Sequence, residues 1–166
     1  ETRVGQGMGQ AFGPFITLAK RSGNERVLST LRTLAERGVS GAPEALEDLL
    51  NQGVLETLAG QGKEQAFGAL STFADAGKAQ ALGALTSLAE KGGKEQAFGV
   101  LSTLMEGGNE QALGVFRTLA ERGNEQALRT LSILAGKGNE QALGTLSTLA
   151  QRGNGQALGT LSTLTK

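Results

Sequence analysis

The chain has 166 residues, with sixteen Lys and Arg against sixteen Asp and Glu, so its formal net charge is zero; that balance argues against holding a polyanion or an anionic membrane by bulk electrostatics. It contains no Cys and no His, which removes disulfides, thiol nucleophiles, the usual zinc ligand sets and imidazole acid–base chemistry. Trp and Tyr are also absent and Phe occurs six times, leaving few platforms for stacking bases or sugars.

In chain order, residues 1–6 carry no periodic pattern and read as a leader or the ragged end of a preceding unit, and a start at Glu1 rather than Met reads as a processed or excised piece. Gly7 to Ser22 is the first recognisable unit. Its Pro14 falls where a helix interior is expected, so the helix should kink there or begin near Gly13. Gly23 to Arg37 (GNERVLSTLRTLAER) follows the pattern fully. Residues 38–61 then break the period; Pro43 suits a first helical position, Ala45, Leu46, Leu49 and Leu50 form one apolar stripe, and Val54, Leu55 and Leu58 form another after Gly53. Two short helices or one kinked helix are expected, acting as a joint or an interaction point. From Gly62 to Lys166 the units run in register, and no apolar run approaches the roughly 18 residues of a membrane span. The whole is read as one repeat domain, 1–166, divided into N-terminal units (1–37), an irregular joint (38–61) and regular units (62–166).

The unit is clearest in GNEQALGVFRTLAER, GNEQALRTLSILAGK and GNEQALGTLSTLAQR, which follow one another from Gly108 to Arg152. Counted from its glycine, positions 5, 6, 9, 12 and 13 are apolar and fall within an arc of about 120° at helical spacing. Asn at position 2 is a good N-cap, Glu at 3 meets the positive first turn, and Arg or Lys at 15 meets the negative last turn. The next glycine can then close the helix in the left-handed conformation. So narrow a stripe cannot be buried by one helix alone, and the units must stack. The expected fold is all-α: an elongated α-solenoid of about ten short antiparallel helices, one per 15-residue repeat. The six Phe fall mostly on positions 6, 9 and 12 and are expected in the core.

Opposite the apolar stripe, position 7 is Gly in seven units and position 11 is usually Thr. A mid-helix Gly costs about 1 kcal/mol against Ala, so its recurrence asks for a cause. Gly114, Thr118, Gly144 and Thr148 belong to units two apart and should line one side as a small hydroxylated strip, whereas the unit between them has Arg129 and Ile133. The strip is a candidate contact face, either for close packing between helices or for a partner. The recurring carboxylates at positions 3 and 14 sit beside Arg or Lys at helix ends and are assigned to caps and dipoles, not to catalysis.

Two resemblances accompany this reading. High Gly, Gln, Ser and Thr with no Cys resembles bacterial secreted or injected proteins, including the harpins of plant pathogens. The stretch GGKEQAFGVLSTL resembles the second helix of TAL-effector repeats, carried by Gly93, Lys94, Gln96 and Ala97 and more weakly by Gly62, Lys63, Gln65 and Gly77, Lys78, Gln80. In that family the corresponding backbone, Lys and Gln touch DNA phosphates, which implies a nucleic-acid-binding array. Here one residue is inserted between Lys and Gln, and the family's first helix and base-reading loop are missing. The residues themselves point to a non-enzymatic scaffold or protein-binding module without catalytic, cofactor or metal residues. A structural subunit that self-associates is the alternative, with nucleic-acid binding third.

Overall fold

A computed structural model describes residues 4–22, 25–92 and 95–164. Among them are eleven helices and no strand: α1 (Val4–Ser22), α2 (Glu25–Glu36), α3 (Ala42–Asn51), α4 (Val54–Gly60), α5 (Glu64–Asp75), α6 (Ala79–Gly92), α7 (Glu95–Glu106), α8 (Glu110–Glu121), α9 (Glu125–Gly136), α10 (Glu140–Gln151) and α11 (Gly155–Leu164). The described residues are all-α, and α1 to α5 and α7 to α11 each pack in succession on their sequence neighbours, as in a solenoid-like repeat.

The links follow from two residues. At Gly123, with φ 79°, the backbone turns left-handed; its N–H bonds to Ala120 O at 3.0 Å and that of Asn124 bonds to Leu119 O at 2.9 Å. These two bonds satisfy the last carbonyls of α8. Asn124 also opens α9, because its side chain accepts the Ala127 N–H at 3.0 Å. Asn109, Asn139 and Asn154 repeat that cap on Ala112, Ala142 and Ala157. Lys63 stands at the same place before α5 and makes no side-chain cap bond. Replacing Lys63 with Asn should therefore raise stability by about 1 kcal/mol, read as a later urea midpoint; an unchanged midpoint would show that the first-turn donors of α5 gain nothing from a side-chain acceptor.

Contacts divide the chain into two compact units, Glu1–Ala84 and Leu85–Lys166, with the boundary inside α6. In the second unit each helix meets the next and the next but one: α7, α8, α9, α10 and α11 touch in succession, and α7 also touches α9, α8 touches α10 and α9 touches α11. Ala112, Ala127, Ala142 and Ala157 at position 5 are fully buried, as are Phe116, Leu131 and Leu146 at position 9. Position 6, at the edge of the apolar arc, is not uniformly core as expected. Leu128 is buried, but Leu143 and Leu158 are 41% and 57% exposed, so cover at this edge depends on the neighbouring helix. The opposite edge supplies position 8, which the apolar pattern did not show. There Thr145 is buried and its Oγ1 donates to Gln141 O at 2.8 Å, removing the cost of an unpaired hydroxyl.

In the first unit the expected start of the first helix changes, and the joint takes one of its two expected forms. The helix α1 does not begin near Gly13 but runs from Val4 through Pro14 to Ser22, and so takes in part of the expected leader. Pro14 lies on the exposed side, where water can serve the carbonyl that its missing N–H leaves without a partner. The joint holds two helices, α3 and α4, turned at Gly53 with φ 68°, which brings the total to eleven where about ten were expected. Together they fill the place of one regular helix, because α2 touches α3, α4 touches α5, and α2 touches α5 directly. Ala45, Leu46, Leu49, Leu50, Leu55 and Leu58 are buried, as their spacing requires, whereas Val54 of the second stripe is only half-buried. Four of the six Phe are buried, but Phe15 is 38% exposed and Phe73 only half-buried, so the core assignment of the aromatics fails at these two.

Candidate interaction surface

The strip expected from positions 7 and 11 lies on α8 and α10, which pack together. Gly114, Thr118 and Thr148 are half-buried and Gly144 is exposed. A Cβ built on Gly114 or on Gly144 would meet nothing within 4 Å, so the glycines do not admit a neighbouring helix. The same openness holds at Gly13, Gly83, Gly99 and Gly159, where nothing in the structure requires glycine. Each threonine hydroxyl turns back on its own helix: Thr118 Oγ1 donates to Gly114 O at 2.9 Å and Thr148 Oγ1 to Gly144 O at 3.0 Å. Their donors are thus spent, and the strip presents threonine methyls beside bare helix backbone. On α9, Arg129 is exposed and Ile133 is 59% exposed, so the equivalent positions there carry long side chains into solvent.

The end charges do more than serve helix dipoles. Arg122 pairs with Glu90, Arg152 with Glu121, and Lys137 with Glu106 at 3.7 Å, each joining position 15 of one unit to position 14 of the unit two before it. Chain reversal at every link brings these matching helix ends side by side. The pairs are well exposed, so each contributes about 0 to 1 kcal/mol and mainly holds register. The regular spacing of the charges was visible in the sequence, but not which unit each would meet.

The residues carrying the TAL-effector resemblance are partly engaged within the protein. Lys78 Nζ pairs with Glu47 at 2.7 Å, and Gln65 Oε1 accepts a bond from Arg32 Nη1 at 3.3 Å. Gly62 and Gly77 are helix-closing residues with φ 84° and 77°. Gly93 and Lys94 lie outside the described residues.

One feature of the first unit had no counterpart in the sequence reading. A cavity of about 260 Å³ opens between α2, α3 and α5, with Ala35, Pro43, Leu46, Ala69 and Phe73 among its walls and Arg32, Glu36 and Thr72 at its polar side. Among the described residues no group of three or more His, Cys, Asp or Glu could hold a metal ion, and no helix is long and apolar enough to cross a membrane.

These features define the class: an all-α helical-repeat protein whose outer surface differs from unit to unit. No protein-family model, curated protein or solved structure matches the chain.

Proposed function

We propose that the protein is a non-enzymatic helical-repeat scaffold that binds a protein partner, with the strip of Gly114, Thr118, Gly144 and Thr148 as a contact face and Arg129 marking where that surface changes. The observation that supports this reading most is the open space above Gly114 and Gly144. Each glycine there forgoes helix propensity worth about 1 kcal/mol with no packing return inside the chain, whereas a partner could use the close approach to the helix backbone. Hydroxyls already bonded to their own helix leave a surface with little polar group to desolvate.

The variant Gly144→Arg tests it. Arg129 occupies the same repeat position in solvent, so the thermal midpoint should stay level or rise slightly as glycine leaves a helix interior. Partner recovery from the native source, identified by mass spectrometry, should fall at least tenfold against the parent chain. Light scattering over a concentration series shows whether the partner is instead a second copy, in which case the mass increase of the parent should vanish in the variant. A variant that keeps every partner and the parent's mass profile would remove the strip as a contact face.

A further inference from the structure

The cavity between α2, α3 and α5 lies beside the joint, where α3 is the first of two short helices. Along its polar side lies Arg32, whose guanidinium is held by specific neighbours. A Cβ on Gly68 would collide with Arg32 Nη1, so this is the one repeat glycine among those at position 7 whose missing side chain is used: it makes room for the guanidinium. Nη1 also donates to Gln65 Oε1 at 3.3 Å. These contacts fix the Nη1 corner and leave the opposite edge, formed by Nε and Nη2, poorly served. Nε is buried without a hydrogen-bond partner, and Nη2 reaches the Glu36 carboxylate only at 3.5 Å.

That edge is the one with which an arginine grips a carboxylate through two parallel bonds. Glu36, on the next turn of the same helix, meets it at a single long contact and is itself 66% exposed, so its side chain is free to swing outward. Both residues line the cavity, so the guanidinium and its weakly held carboxylate partner stand at its wall. The remaining walls are apolar: Ala35, Pro43, Leu46, Ala69 and the half-buried ring of Phe73. A volume of about 260 Å³ is at the small end for a ligand site, which suits one ring or a short chain.

We infer that this cavity binds a small apolar monocarboxylate, its ring or chain against Leu46 and Phe73 and its carboxylate on the Nε/Nη2 edge of Arg32, displacing Glu36. The site shares no residue with the strip on α8 and α10, so it can fail or hold independently of the proposed function. Sodium phenylacetate is a suitable probe, with phenylacetamide as its uncharged counterpart. Titrated into the full chain and followed by ¹H–¹⁵N spectra, phenylacetate should give saturable shifts confined to α2, α3 and α5, with a dissociation constant of about a millimolar, as expected for about ten non-hydrogen atoms. The amide should bind at least fivefold more weakly. Glu36→Gln removes the competing carboxylate and should tighten phenylacetate binding about threefold or more. Arg32→Gln should abolish the preference for acid over amide, with thermal unfolding checking that the variant is folded. Absent or unsaturable shifts at tens of millimolar ligand, equal binding of acid and amide, or weaker binding by Glu36→Gln would each overturn the site.

Discussion

Truncating Leu131 to Ala is expected to lower stability by about 2 to 5 kcal/mol, the range for removing a fully buried leucine and leaving part of its volume empty. Leu131 is 0% exposed at the centre of the apolar arc of α9, and α9 touches α7, α8, α10 and α11, so more than one helix loses contact. Leu158→Ala provides the control. That side chain is 57% exposed, and its loss should change stability by no more than about 0.5 kcal/mol. Urea midpoints for the two variants measure the difference; equal midpoints would mean that the helical phase common to all units is misassigned.

The second large effect is a reversal of sign between two glycines of adjacent repeats. Gly123→Ala should cost about 1 to 2 kcal/mol, because its φ of 79° is strained for any residue with a Cβ, although nothing lies within 4 Å of the added atom. The penalty comes from the backbone alone. Gly144→Ala should instead stabilise by up to about 1 kcal/mol, since that residue lies inside α10 and its Cβ would also meet open space. Thermal unfolding of both variants under one condition reads the contrast. If both lowered the midpoint, the space above Gly144 would not be free, and the contact face would lose its main support.

Much of the fold was legible in the residues because it rests on short-range rules. Helical spacing placed α5 and α7 to α11, and the Gly-Asn pairs at 108–109, 123–124, 138–139 and 153–154 marked where one helix closes and the next is capped. The contact strip was legible only as a pattern of residues: Gly114, Thr118, Gly144 and Thr148 could be placed on one face, but not whether that face was filled or open. Pro14 shows the limit of a local rule, since its cost depends on whether the lost hydrogen bond faces water, and α1 continues through it on the exposed side.

The sequence by itself determined where each regular helix starts and stops and which side of it is apolar, because caps, left-handed glycines and the spacing of apolar residues act within about five residues along the chain. Only the tertiary structure decided what depends on which helix stands beside which. The pairing of Arg152 with Glu121 spans 31 residues and the bond from Arg32 to Gln65 spans 33, distances over which no local pattern names the partner. The same holds for the burial of Thr145 at the rim of the apolar arc, for α3 and α4 taking the place of one helix, and for the cavity beside Arg32. Each arises from the packing of surfaces brought together by chain reversal, and a one-dimensional repeat specifies those surfaces without specifying their irregular meeting at the joint.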